Sequence, residues 1–411
     1  MAQAWTSHEN ESRGIEIVLL FTAFIASAYG FGMYLFPAMI ELIRQSMSLP
    51  YDAVGLISGF VQTGFMASAL LSGVMTASFG ALPVILGSIA ICAAALGGLA
   101  SVEHVFVLGA LLTVLGGCAA AIWVPMLEVC RAVISHRHQA KALGLISSGT
   151  SYGVFVNSLL ITNFSTQYGW RFIWTVTSVC VAVLTLVGFT RLRRIGKKSA
   201  ETPSPTHAGP RRRARFGIFS RKLTLAISFM MFLNGLSCLP FQTYLSSFIQ
   251  GEAELSQETA AIAWRLIGIV GMVGGFALGA LADRITVRWA MTLTCGILAA
   301  SCILLVVGAG KGYILPIYLA AFGFGLGFYS VFGLVPAYIS HAFQAGDAAL
   351  VFAVGNIALS LGGVAGNVLG GMLKVATGSF EAIYWIMTAA AGCSALLSVA
   401  LPSERSFRVA P

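Results

Sequence analysis

Apolar residues run through this chain in long blocks separated by short polar breaks, at approximately 15–42, 52–77, 82–102, 105–130, 142–163, 171–190, 223–247, 259–282, 289–309, 313–340, 348–373 and 380–401. Crossing the hydrocarbon core of a bilayer takes about 20 mostly apolar residues. Lipid offers no hydrogen-bond partner to the backbone, so spans of this length must be helices. A membrane barrel would show ten-residue strands of alternating polarity instead. The pattern therefore predicts an all-α polytopic membrane protein with twelve transmembrane helices.

The longest polar break, "RLRRIGKKSAETPSPTHAGPRRRARFGIFSRK" over 191–222, is rich in Pro, Ser, Thr, Gly and basic residues. A segment of that composition has no apolar surface to bury, so it reads as a flexible connector. It divides the chain into a six-helix bundle over 1–190 and another over 223–411. The two halves echo each other. Gly32 stands five residues before Pro37 in the first span, as Gly235 does before Pro240 in the seventh. Val124-Pro125 in span 4 and Val335-Pro336 in span 10 lie 211 positions apart, as do Gly116 and Gly327. Two duplicated six-helix units are the plan of many secondary transporters, with the substrate held near the midplane. Glycines four apart, at Gly149 and Gly153, at Gly271, Gly275 and Gly279, and at Gly362, Gly366 and Gly370, read as helix-packing faces.

Composition strengthens this picture: 57% of residues are hydrophobic and only 9% are charged, against about a quarter charged in soluble domains. The net charge of +9 is mainly topological. With both termini in the cytoplasm, 19 of the 24 Lys and Arg fall on cytoplasmic segments, 11 of them in 191–222. The residues before the first span lack the basic start of a signal peptide, so that span is expected to be retained. No nucleic-acid-binding domain accompanies the basic run, and nucleic acid is not an expected partner. The eight cysteines all fall in spans without a C-x-x-C pair, and the six histidines are scattered. Packing is the default role for such cysteines, with neither metal nor cofactor implied.

One break is unusual. In "GALADRITVRW", Asp283, Arg284 and Arg288 fall within six positions between two spans. The array Gly279-x-x-x-Asp283-Arg284-x-x-x-Arg288 resembles the cytoplasmic loop motif of the major facilitator superfamily, and "YGWRFIW" (Tyr168 to Trp174) is similar to that family too. "WVPML", "KALGLISSGTSYG" and "AWRLIGIVGMVGGFALGALADR" resemble its YbfB/YjiJ-like group. The resemblance covers essentially the whole chain and implies alternating access by two six-helix bundles. It also implies that Gly279, Asp283, Arg284 and Arg288 form a cytoplasmic latch that breaks when that side opens. A purely topogenic role for these charges remains the alternative. The first-half counterpart departs from the motif: Gly73 and Gly80 are present, but Ala77 replaces the acid and the basic residues are missing.

Candidate site residues follow from depth and polarity. Arg265, six residues into span 8, is a charge within the bilayer and so a functional candidate. It suits a carboxylate or phosphate, or else it snorkels to the outer surface. Family anion transporters place such an arginine nearer the loop motif, where Gly275 stands here. Tyr29, Tyr34, Gln62, Trp123, Tyr152, Asn157, Asn234, Gln242, Tyr329 and Asn356 are polar or aromatic residues near mid-span in helices that line or flank the family's cavity. Each is a substrate contact or, equally, an interhelical hydrogen bond or anchor. Glu128 and Arg131, three apart near the inner end of span 4, form a gate or an ion pair, or carry a proton. Glu41 and Glu16, at the two ends of span 1, are expected in the membrane interface, so no acid sits in mid-span. The span 4 arginine of many proton-coupled members is replaced around Leu112 and Thr113.

These features exclude an enzyme, since no nucleophile–base pair, metal cluster or carboxylate pair shares one depth. They also argue against a channel, and no phosphate-binding loop for ATP occurs. The expected function is secondary transport of a small organic anion or amphipathic metabolite by a monomer in the bilayer of a bacterial inner membrane, with protons as candidate coupling ions. Efflux of amphipathic compounds and ligand sensing on a transporter scaffold are the alternatives. Span 5 carries Gly149-Thr-Ser-Tyr-Gly153-Val154 without the proline of the drug–proton antiporters, which favours uptake over efflux.

Overall fold

The computed structural model describes residues 2–134, 139–200, 222–309 and 313–404. Among these the secondary structure is helical, in the order α1 (Ala2–Ile25), a π-helix (Ala26–Tyr34), α2 (Leu35–Ala38), α3 (Ile40–Met47), α4 (Tyr51–Phe79), α5 (Ala81–Ala100), α6 (Val105–Val133), α7 (Gln139–Ala200), α8 (Lys222–Gly251), α9 (Gln257–Ile285), α10 (Val287–Ala309), α11 (Ile314–Ala342), α12 (Ala345–Thr377) and α13 (Glu381–Ala400). Among the described residues, eleven stretches are long and apolar enough to cross a membrane. One of them, Lys141–Leu192, has 52 residues, or about 78 Å at the helical rise, more than twice the hydrocarbon core. Its helix breaks at Gly169 (φ 75°, ψ 173°), a conformation open to glycine for want of a Cβ. The two arms of α7 are thus separate spans, giving the twelve expected from hydropathy.

Two features of the predicted elements need correction. The connector expected over 191–222 begins as helix, since α7 runs on to Ala200. Its Arg, Lys, Leu and Ala residues are good helix formers, and no Pro occurs before Pro203. Residues 201–221 of that connector, with Arg137, Lys311, Arg405 and Arg408, lie outside the described residues, and Lys222 opens α8. In α9 the packing glycine is Gly274, whose Cβ position faces Leu326 at 3.1 Å. Gly279 has open space around it, and Gly275 reaches only Tyr329 O at 3.9 Å. Of the face expected from Gly271, Gly275 and Gly279, the last two are therefore not tight contacts.

Packing gathers the chain into two compact units, 1–36 with 64–207 and 37–63 with 208–411. In the first, α5 packs on α6 and α7, while α1 and the π-helix lie along α7. Here Gly30 and Gly153 touch backbone to backbone, and Gly149 faces the carbonyl of Thr22. In the second, α8 packs on α12 and α13, α9 on α11, and α10 on α11 and α13. Phe241, Phe324 and Phe328 stack within it, with the Phe241 and Phe324 centroids 4.0 Å apart and the rings nearly parallel.

The α8–α12 contact is the closest in the second unit. A Cβ at Gly235 would overlap the carbonyl of Leu359, and one at Gly362 would overlap that of Phe232. Gly366 and Gly370 continue the stripe against Pro240 and Tyr244. Gly235→Ala must force these helices apart, so a loss of about 1–3 kcal/mol is expected from overpacking. Gly392→Ala, with nothing within 4 Å, should leave stability unchanged or slightly raised. Thermal unfolding of both variants in one detergent checks the difference.

Candidate functional site

In the first unit Tyr29 and Tyr34 lie on the π-helix, and Asn157 reaches it from α7. A π turn hydrogen-bonds from i to i+5 and often marks a functional position. The stretch "ASAYGFGMY" carries Tyr29, Gly30, Gly32 and Tyr34. Asn157, buried on the first arm of α7, donates from Nδ2 to the Gly30 carbonyl at 2.7 Å. The widened backbone is thus held from the neighbouring helix, where Gly153 lets the chains touch. Asn157 Oδ1 is buried with no hydrogen-bond partner among the described residues. Tyr29 is half-buried, its ring edge-on to Phe65 at 6.1 Å. Tyr34 is buried, Trp123 is half-buried and Tyr152 is exposed, while Gln62, half-buried, belongs to the second unit. Glu128 is exposed, and the Arg131 side chain lies outside the described residues.

In the second unit, Asn234 and Gln242 lie buried on α8. The Asn234 amide is engaged at both ends, donating to Met230 O at 2.9 Å and accepting from Cys295 Sγ at 3.9 Å. Gln242 Nε2 is buried without a hydrogen-bond partner among the described residues. Asn234 forms one wall of a narrow recess of about 10 Å³, with Cys238, Phe328, Val331, Phe332 and Leu359. That lining is apolar and aromatic and carries no charge. Tyr329 is half-buried, its ring edge-on to Phe328, and Asn356 donates to its own helix at Phe352 O. Arg265 is half-buried on α9, within electrostatic reach of Tyr318 near the start of α11. It is not part of the recess lining.

The loop motif is tighter than its sequence indicates. Asp283 and Arg284 lie in the last turn of α9, and Arg288 is the second residue of α10. One residue turns the chain between them, Thr286 at φ 122°. The exposed Asp283 and Arg284 make no hydrogen bond or ion pair among the described residues. Arg288 is engaged within its own unit, where Nη1 donates to Leu401 O at 3.0 Å and its backbone N–H donates to Glu404 Oε1 at 2.7 Å. Tyr338 donates to Pro402 O at 2.8 Å beside them. A buried carboxylate at the start of α10 complements the positive end of the helix dipole.

A further cluster escaped sequence reasoning. Glu41, expected at the membrane interface, is only 3% exposed. It lies on α3, beyond the span Gly14–Ala38. Arg44 reaches both of its oxygens, with Nη2 at 2.5 Å and Nε at 3.1 Å, while Gln45 donates at 3.0 Å and Tyr51 at 3.3 Å. Tyr51 also lies under Arg44 (4.5 Å) and Lys374 (5.6 Å) and edge-on to Phe380. Lys374 pairs with Glu252 at 2.6 Å, and Glu252 also accepts from the Phe380 backbone. Two ion pairs are thus joined through one tyrosine. Below them Trp264 donates to Ser246 at 2.9 Å, and Ser246 to the carbonyl of Ala38 at 3.2 Å. The i, i+3 spacing of Glu41 and Arg44 was the available signal; the partners from other helices left none.

Twelve membrane-spanning helices and no strand among the described residues define a polytopic helical membrane protein. A sequence profile of the Major Facilitator Superfamily matches residues 20–367. The chain belongs to that superfamily, and it is a transporter rather than an enzyme. The fold is similar to a bacterial homologue of the human lysosomal transporter Spinster, solved inward-facing and unoccupied, with a TM-score of 0.72 and 14% identity over 96% of each chain. It is also similar to a mutant of the nucleoside transporter NupG, with a TM-score of 0.71 and 11% identity over 93% of this chain and 99% of the other. No curated protein sequence matches the chain.

Two substitutions probe these contacts. Asn157→Ala leaves the Gly30 carbonyl buried without its donor, so a loss of about 1–3 kcal/mol is expected in thermal unfolding. Arg288→Ala releases Leu401, so the segment after α13 should be cut faster in limited proteolysis while the melting temperature changes little.

Proposed function

We propose that the chain is a secondary transporter of a small organic solute, an organic anion or an amphipathic metabolite, working by alternating access. The observation that carries this reading is the family match over residues 20–367. The side chains around the narrow recess beside Asn234 are apolar and aromatic, which favours a solute with an apolar part once the space widens. The unpartnered amide atoms of Gln242 and Asn157 are polar groups of the kind that orient a ligand. Tyr29, Tyr34, Trp123, Tyr152, Tyr329 and Asn356 complete the candidate contacts, and Arg265 is the candidate partner for an anionic group. Gly279, Asp283, Arg284 and Arg288, with Glu128 and Arg131, are the candidate gate. The distribution of Lys and Arg supports cytoplasmic termini, which puts the Glu41 end of the bundle outside. A bacterial inner membrane, proton coupling, a monomeric state, domains at 1–190 and 223–411, and kinship with the YbfB/YjiJ-like group belong to the same reading.

Binding raises apparent stability by mass action. The test is thermal stabilisation of the purified protein across monocarboxylates, dicarboxylates, aromatic acids and lipophilic cations, with wild type and Arg265→Gln side by side. Stabilisation by one class of acids that is lost in the variant is the expected result. An acid response that survives Arg265→Gln makes that arginine structural, and a response to cations alone turns the reading to export of amphipathic compounds.

A further inference from the structure

Of the acidic side chains described, Glu41 is the most enclosed, at 3% exposed, and it stands where segment 37–63 closes onto the rest of its unit. That closure is made by few groups. Gly55 packs against the carbonyl of Asn367, and Gly371 against the backbone of Tyr51. Ala38 receives Ser246, and Tyr51 connects the Glu41–Arg44 pair with the Glu252–Lys374 pair. The groups facing Glu41 are Arg44 and Gln45 from α3, Tyr51 from α4 and Ser247 from α8. Beyond Tyr51 come Lys374 of α12 and Glu252 at the end of α8. Asp52 accepts the backbone N–H of Ala53, at the start of its own helix.

We infer that Glu41 is a proton-binding site of the transport cycle, where uptake of one proton by the carboxylate releases Arg44 and parts segment 37–63 from α8 and α12. This rests on the reading of the chain as a transporter with this end facing outward. A neutral carboxyl no longer attracts Arg44 by charge, and it presents one acceptor fewer to a site that supplies four donor groups, from Arg44, Gln45 and Tyr51. The hydrogen bond from Tyr51 then weakens, and with it the connection to Lys374. Burial pushes the Glu41 carboxyl up, but hydrogen bonds from Arg44 and Gln45 outweigh it and hold it below the ordinary carboxylate value. A group depressed in the closed form stabilises that form above its ordinary value and loses the effect as pH falls through the depressed one. Acid on the outer side therefore favours opening.

Spin labels on Ser46→Cys and Val375→Cys report the separation of α3 and α12 in the full-length protein, after replacement of the exposed Cys180 and Cys393 by Ser. The distance distribution should stay closed from pH 8 to pH 5 and shift outward only below the ordinary carboxylate value, as pH falls from about 5 to about 3 in this background. Glu41→Gln should show the wide distance already at pH 8 with no further pH response. Arg44→Gln should move the midpoint to higher pH, so the inference stays testable if Glu41→Gln does not fold. Glu252→Gln should keep a pH response. An unchanged distribution in the unmutated background, a pH response that survives Glu41→Gln, or one abolished by Glu252→Gln overturns the inference. No solute is needed, so a chain that bound none of the panel above would still answer this question.

Discussion

Helices in lipid gain nothing from the hydrophobic effect when they meet, so what holds them is the closeness of approach that small residues permit. This constraint organises both units. On α8 and α12, Gly235, Gly362, Gly366 and Gly370 bring backbone against backbone or ring, leaving no room for a methyl group. On α1, the π-helix and α7, Gly149, Gly153 and Gly30 do the same. Each pair therefore behaves as one element, and the candidate residues ride on it. Asn234 and Gln242 take their positions from α8, while Tyr29 and Tyr34 take theirs from a π-helix that Asn157 holds open.

The loop motif shows the same economy with different side chains. Two long helices in each unit are joined by a single residue of positive φ, Gly80 at 86° in one and Thr286 at 122° in the other. Gly80 adopts its angle without a Cβ penalty; Thr286, branched at Cβ, is strained. The turn needs no charge, since the first-half version has none. The charges of the second therefore serve something other than the turn. Arg288 holds the segment after α13, whereas Asp283 and Arg284 stand exposed. A residue that fits a family motif can thus be occupied locally.

The spans were legible because the bilayer imposes a length and a polarity that sequence displays directly. Gly169 separates two of them where hydropathy had placed a break. Packing was much less legible. The π-helix leaves no periodic trace in nine residues whose apolar and polar side chains show no sided pattern. Gly274 rather than Gly279 faces a neighbour because helix rotation is set by the partner, which a four-residue spacing does not name. Glu41 read as interfacial because the residues that enclose it lie on α4, α8 and α12. Segment 37–63 sits in the first half of the sequence yet packs with 208–411, a grouping that only tertiary contacts define.

That grouping explains why so charge-poor a chain concentrates Glu41, Arg44, Glu252 and Lys374 around one tyrosine. An ion pair taken out of water recovers in attraction little more than it loses in hydration, so its net contribution is small. Breaking one partner's charge while leaving the other buried, by contrast, is costly. A contact with those two properties holds a surface closed with little net stabilisation, yet it responds strongly to a change of charge on one member. An apolar seam of the same area would lack both properties: it would be held by dispersion and area alone and would answer to no proton. In a bundle whose helices are otherwise fixed by glycine contacts, the ionic seam is the part built to be reversible.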